Sequence, residues 1–369
     1  MTEQKFKILS IDGGGIRGIF PAMFLAEYEA NLKAQGNPNW QVYQNFDLMC
    51  GTSTGGIMAI ALSLGIPAKE IVDLYYNNAK AIFGNKRSLL FSTFIANIFK
   101  SGHERTNLEK LVRDKFASTK NGEDPRLLDC KTNTFVTIYD LQEGCPSLLK
   151  SKYHEKFIRD YHIPAYQAAL ATSAAPTYFD PLSTEYVDLH GLLKPFQNKV
   201  DGGVFCNNPT LSAIIEAQEA FDQSLSNLAV LSLGTGTQKF CDTGFNPNEN
   251  WLKKALLFFP RKIGLFKIKS KRSKWGILYW MNNDKRKPLI DIFMQGQSQQ
   301  VENIISLMHS SIGKSKVERF TYLRINTELD SSCNIELDET DEGKLDTLKE
   351  KGTREFQKNA DKVFSNFIK

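Results

Sequence analysis

Short apolar runs bounded by glycine alternate with longer amphipathic stretches along most of this chain. The run at 6–11 predicts a strand, 12–18 a glycine loop, and 19–34 a helix with Pro21 in its first turn, where a missing N–H costs nothing. Gly36 stops that helix, and a second apolar run from Phe46 to Cys50 predicts another strand. An apolar segment at 57–64, long enough for two buried helical turns, follows it, then a helix at 68–82 and a loop or short lid at 84–102. Thr106 to Glu109 fits a capping box opening the next helix. The β-branched stretch 134–141 predicts a strand, 164–172 a helix of small residues, 200–209 a turn cluster and 211–221 a helix. A buried-type strand at 228–233 ends at Gly234-Thr-Gly236. Helices at 289–310 and 342–367 enclose a last strand at 320–325. Strands alternating with helices predict an α/β protein whose parallel sheet is covered on both faces. With no repeat and no Pro/Ser-rich linker, the reading is one catalytic-size domain at 1–330 with a helical extension at 331–369 packed on it.

Composition adds little: 369 residues, 24% charged and 41% hydrophobic, describe an ordinary globular chain. No apolar run reaches the 18 residues of a membrane span, and the first residues run straight into a strand, leaving no room for a signal peptide. Six cysteines without a C-x-x-C pair predict reduced thiols in a cytoplasmic protein, with neither a disulfide frame nor a zinc site. Charge is more informative. Between Trp251 and Pro288 stand twelve Lys/Arg and one acid, so this segment carries +11 and the remainder −6. The same segment holds seven aromatic residues. It reads in three ways: a solvated face, a surface for anionic membrane in which Lys269, Lys271, Arg272 and Lys274 hold head groups, or a pocket for an anionic activator.

Three stretches carry candidate chemistry. Gly51-Thr-Ser-Thr-Gly55 fits G-x-S-x-G between a strand and a helix, the context of a nucleophile elbow with Ser53 at its apex. Alone it is also an ordinary turn with Ser53 or Thr54 as a helix cap. Asp12-Gly-Gly-Gly-Ile-Arg-Gly18 matches the dinucleotide fingerprint through Gly13, Gly15 and Gly18. Against that reading, Asp12 would repel a pyrophosphate and no acid ends a second strand some twenty residues on. The other readings are a plain turn or an oxyanion hole, in which successive glycines present backbone amides and Arg17 adds positive charge. A serine nucleophile needs a base. None of His103, His154, His162, His190 and His309 sits in a glycine-rich turn at a strand end, and a Ser, Asp, His order would require His309. Asp201-Gly-Gly203 offers an aspartate that could project from a turn and take the serine proton directly, if burial raises its pKa. Asp-Gly is also a common turn.

Taken together and in this order, Asp12 to Gly18, Gly51 to Gly56 and Asp201 to Gly203 resemble the patatin-like phospholipase family. Ala171-Thr-Ser-Ala-Ala-Pro-Thr-Tyr-Phe179, Asn207-Asn-Pro209 and Leu233-Gly-Thr-Gly236 resemble its other blocks, so the likeness covers about 7–236. It implies a three-layer α/β/α fold with a mostly parallel central sheet and lipid acyl-ester hydrolysis of phospholipase A type. It also implies Ser53 as nucleophile, Asp201 as its base, and Gly13, Gly14 and Gly15 with Arg17 as the oxyanion site, without metal or cofactor. In general look and size the chain further resembles bacterial patatin-like effectors of anti-phage systems, which a cyclic dinucleotide activates. That narrower likeness implies an effector that a cyclic dinucleotide turns on the cell's own membrane phospholipid. Peripheral contact at the membrane surface is expected from the basic aromatic segment, and no nucleic-acid partner is expected, since no known module for one is present. The rival reading is a non-catalytic lipid- or nucleotide-binding module on the same fold.

Overall fold

The computed structural model describes residues 5–84, 103, 105–237, 288–311, 320–329 and 335–369. The expected lid at 84–102, beyond Gly84, and the basic aromatic segment with Lys269, Lys271, Arg272 and Lys274 lie outside those residues. The chain divides into two compact units, Met1–Gln238 with Phe293–Lys369, and Lys239–Ile292. Of the second, only the first turn of a helix belongs to the described residues.

In the first unit, β1 (Phe6–Ile11) passes through a 3-10 turn (Gly15–Gly18) into α1 (Ile19–Ala34). The short α2 (Val42–Asn45) is boxed by the Gln41 and Gln44 side chains and precedes β2 (Leu48–Gly51). Then come α3 (Thr54–Ser63), α4 (Ala68–Phe83) and α5 (Thr106–Ala117). The latter begins differently from expectation. Arg105 takes the cap position, its carbonyl accepting the Glu109 amide at 2.9 Å, so Thr106 is already helical and its hydroxyl caps nothing. β3 (Asn133–Asp140) and β4 (Cys145–Lys150) precede α6 (Ala165–Thr172). β5 (Leu182–Val187) and β6 (Leu193–Asp201) follow, then α7 (Thr210–Phe221), β7 (Leu228–Leu233), α8 (Pro288–Ser311), β8 (Thr321–Ile325) and α9 (Glu342–Phe367).

Alternation along the strands sorts their apolar side chains onto two faces. Ile8, Leu48, Cys50, Leu228 and Val230 face one core, closed by Ala213, Ile214 and Ala217 of α7 and Ile305 of α8. Leu9, Ile11, Met49, Leu231 and Leu233 face the other, closed by α1, α3, α4, α6 and α9. The result is the expected three-layer α/β/α arrangement. The sheet order is β5-β6-β3-β2-β1-β7-β8, with β4 also paired to β3. β1 is parallel to β2 and β7, β2 to β3, and β7 to β8, so the centre is parallel. The far side is not: β4 and β6 run antiparallel to β3, and β5 to β6.

One detail of register sets up the site. β4 lines one edge of β3 from Phe135 to Asp140. β2 pairs with β3 up to Gly51 opposite Val136, and β6 pairs from Asp201 opposite Ile138 onward. Since each strand has two edges and β4 fills one, β2 and β6 share the other and meet end to end along it.

Candidate active site

The turn after β2 is as tight as its sequence demands. A Cβ on Gly51 would lie 2.0 Å from the Gly55 carbonyl oxygen, and one on Gly55 would lie 2.4 Å from that of Ile11. Ser53 sits at the apex with φ 56, a left-handed conformation that a non-glycine residue holds at a cost. Its amide donates to the Thr172 hydroxyl at 3.0 Å, and that hydroxyl donates to the Thr137 carbonyl at 2.7 Å. Thr52 packs beneath, its hydroxyl 2.8 Å from that of Thr137 and donating to the Cys206 carbonyl at 2.6 Å. These threonines have no part in the sequence reading; only the Ala171-Thr172-Ser173 block marked one of them. The serine therefore stands where α3 begins, with that helix's first amides directed toward its surroundings.

Asp201 comes from the opposite direction. It closes β6 rather than standing in a free turn, its amide bonded to the Ala174 carbonyl at 3.0 Å. It is 1% exposed and Ser53 7%, so both belong to one nearly dry site. One carboxyl oxygen, Oδ1, accepts the Gly203 amide at 2.7 Å. Burial pushes the carboxyl pKa up to about 7, while the neighbouring Ser53 hydroxyl and the Gly203 amide pull it down. The other oxygen, Oδ2, is buried without a hydrogen bond. Thus the hydroxyl stands close enough to stabilise the carboxylate, yet no bond of ordinary length and angle joins the two side chains. Such contacts in resting sites commonly tighten only with substrate.

The glycine loop lies against the elbow. Gly14 directs its amide at the Thr54 hydroxyl, 3.3 Å away, and Gly15, at φ 55, has an amide with no hydrogen bond among the described residues. Gly13 differs from expectation. Its amide donates to the Asn207 carbonyl at 3.0 Å, and its own carbonyl accepts the Thr235 hydroxyl at 2.8 Å and the Asn207 side-chain amide at 3.3 Å. Gly13 is an anchor, and its N–H is not free to face an oxyanion. Arg17 lies half-buried on the 3-10 turn that follows. Gly14 has no room for a side chain, because a Cβ there would fall 2.2 Å from the Thr235 hydroxyl.

Asp12 turns away from this loop. Arg324 of β8 grips its carboxylate with both terminal nitrogens, at 2.9 and 2.6 Å, donates to the Ser232 hydroxyl at 2.8 Å and reaches Glu302 of α8 at 3.5 Å. Burial alone would lower the arginine pKa, but the Asp12 carboxylate outweighs it and raises the guanidinium above its usual range. Nothing in the sequence marked Arg324.

No histidine bonds to Ser53 or Asp201 among the described residues. His103 is bonded to Asp338 at 3.2 Å and stacked on Tyr178. His162 accepts the Leu189 amide at 3.3 Å and packs against His190. His154 packs on Phe157, and His309 on Phe320 and Tyr322. Nor do three His, Cys, Asp or Glu side chains gather as metal ligands there. Among the described residues no helix is long and apolar enough to cross a membrane.

A serine on a strained elbow, a buried carboxylate and a glycine loop come together at the ends of β2, β6 and β1 in this three-layer fold, and the protein is a hydrolase. The chain belongs to the patatin-like phospholipase family, whose sequence model matches residues 9–214. Among its relatives, patatin-like protein 2 of rice (Oryza sativa subsp. indica) is 28% identical, over 96% of this chain and 85% of that one. The cGAMP-activated phospholipase of Escherichia coli is 33% identical, over 64% of this chain and 63% of that protein. The cGAMP-activated phospholipase of Vibrio cholerae is also 33% identical, over 63% and 65%.

Proposed function

We propose that this hydrolase cleaves glycerophospholipid acyl esters through a Ser53–Asp201 dyad and an acyl-enzyme. The observation that carries the reading is the buried Asp201 carboxyl beside the elbow serine, with a pKa near 7 that suits a base at neutral pH. Asp201 takes the Ser53 proton as Oγ attacks the ester carbonyl. The Gly14 and Gly15 amides and Arg17 stabilise the oxyanion, and the leaving lysolipid oxygen takes the proton back. Water, activated by the same carboxylate, then hydrolyses the acyl-serine. A serine-directed phosphonate tests this. Wild type is expected to be labelled at Ser53 and inactivated, Ser53→Ala to be unlabelled and inactive, and Asp201→Asn to lose about as much activity as the serine variant, because groups acting as one unit give non-additive losses. A folded, unlabelled wild type would instead favour the lipid- or nucleotide-binding module.

A cyclic dinucleotide activator is the second part of the reading, supported by the two relatives whose names carry cGAMP activation. Lys269, Lys271, Arg272 and Lys274 then serve as the surface that meets anionic lipid or the anionic activator. Under this reading the enzyme works from the cytoplasm on the membrane it contacts. The expected result is fatty-acid release from anionic vesicles that rises severalfold with one member of a cyclic-dinucleotide panel and falls with salt. Neutralising the four cations should lower it while a soluble short-chain ester is still cleaved. Equal loss on both substrates would mean that the segment is structural or a site for the activator, and would remove the membrane reading.

A further inference from the structure

Asn207 reaches into the same site with an unused group. It is 6% exposed, and its side-chain nitrogen is committed to the Gly13 carbonyl at 3.3 Å and the Ser298 hydroxyl at 3.0 Å. Its backbone amide donates to the Gln297 side chain and its backbone carbonyl accepts Gly13, so the residue is fixed from four directions. The side-chain oxygen Oδ1 is buried and has no partner. Buried acceptors without partners are uncommon enough to need a reason.

Position supplies the reason. Asn207 Oδ1 lies 2.4 Å, and Ser53 Cβ 3.1 Å, from the point a Cβ on Gly13 would occupy. Asn207 Oδ1 and Asp201 Oδ1 lie 3.3 and 3.1 Å from the point a Cβ on Gly203 would occupy. The asparagine oxygen thus borders both points, one beside the Ser53 side chain and the other beside the Asp201 carboxyl, and stands between the serine and the carboxylate as a second buried acceptor. A water molecule has two protons to give, and each acceptor can take one within ordinary hydrogen-bond length.

We infer that Asn207 positions the hydrolytic water of the deacylation step, an inference that rests on the Ser53–Asp201 reading above. In this step the water oxygen forms a bond to the acyl carbonyl carbon and one of its protons passes to Asp201. Asn207 Oδ1 accepts a hydrogen bond from the other proton without taking it, which fixes the direction of the attacking lone pair. The C–Oγ bond then breaks, Asp201 returns its proton to Ser53 Oγ, and the fatty acid leaves with the hydroxyl that water supplied. Acylation needs no such water, so the two half-reactions depend on Asn207 differently.

That difference separates positioning from mere support. Loosening the glycine loop would slow both steps, because the oxyanion donors serve both. Pre-steady-state release of p-nitrophenol from a short-chain ester, followed by intact-protein mass spectrometry, reads the steps apart. Asn207→Ala is expected to keep its burst rate within a few-fold while steady turnover falls on the order of tenfold to a hundredfold, the loss typical of a misplaced reactant. The acyl adduct should then accumulate on Ser53. A second variant leaves Asn207 intact: Gly203→Ala sets a methyl group in the space between the two oxygens, 3.1 to 3.3 Å from its neighbours. It should trap the same adduct. Burst and turnover falling together in both variants, or neither falling, would overturn the inference. A wild type that a serine-directed phosphonate does not label at Ser53 would overturn the dyad reading itself, and that failure is visible before any variant is made.

Discussion

At the scale of single residues the site is held at a cost. An aspartate has a pKa of about 3.9 in an unfolded chain, and burial raises that of Asp201 to about 7 in the fold. The folded state thus binds this proton more tightly than the unfolded chain. Its contribution to stability is full below about pH 4, declines as pH rises, and is gone above about pH 7. Activity runs the other way, since the base works only when ionised. Two outcomes are expected. The kcat/KM of wild type should climb about tenfold per pH unit up to a plateau above about 7. Asp201→Asn, measured by thermal unfolding, should gain on wild type as pH rises from 5 to 8, by up to ~2.7 kcal/mol, about two pH units at about 1.4 kcal/mol each. A stability difference that does not change with pH would mean that the carboxyl titrates normally. Gly14 shows the same economy, because the Thr235 hydroxyl fills the space where its side chain would be.

At the scale of elements, the buried pair between β1 and β8 is a joint. Arg324 joins Asp12, at the end of β1, to β8, two strands that do not pair because β7 runs between them. Arg324→Leu should destabilise by about 3–5 kcal/mol in urea unfolding, the cost of a buried charge left alone. Adding Asp12→Asn should restore more than half of the loss. A double variant no better than the single would show that the arginine acts through packing. The parallel centre of the sheet and the tight turn that carries Ser53 were legible because each is written locally: an apolar run, a glycine turn, a helix. Asp201 stood out only through the resemblance of its block, since Asp-Gly alone is a common turn. The antiparallel strands were not legible. β4 contains Pro146 and buries only Leu149, and β6 contains Pro195 among three exposed residues at its start, so neither shows the apolar run that marks a strand, and pairing supplies what their sequence does not. Arg324 escaped for another reason, as did the part played by Asn207, whose block was marked only by resemblance. Each matters through a partner far off in sequence, and one sequence has no mark for such a pair.

At the scale of the whole molecule, the family blocks are not the whole folding unit. α9 buries Leu345, Leu348, Phe356, Val363 and Phe367 in the core that α1 and α3 share. Phe356 meets Phe24 edge-on at 5.5 Å, Phe367 stacks on Phe46 at 5.9 Å, and Gly352 lets the helix cross α1 where a Cβ would lie 2.6 Å from the Phe20 carbonyl oxygen. A chain ending at Asp341 uncovers Phe24, Tyr28 and Phe46 together. It is expected to lose cooperative thermal unfolding by circular dichroism, and a sharp transition near that of the full chain would show α9 to be dispensable. The meeting of β2 and β6 along one edge of β3 has a consequence of a different kind. β3 is a ruler: the strand that brings the serine ends at its Val136 mark, and the strand that brings the aspartate ends at Ile138. Side chains on a ruler are interchangeable so long as they fill their space, but the number of divisions is not. One residue added or removed between those marks would move the two groups apart or together by about 3.3 Å and turn one of them to the wrong face. Along β3, therefore, descent can exchange letters that fill the same space, apart from Thr137, whose hydroxyl meets that of Thr52, and still has to keep the count.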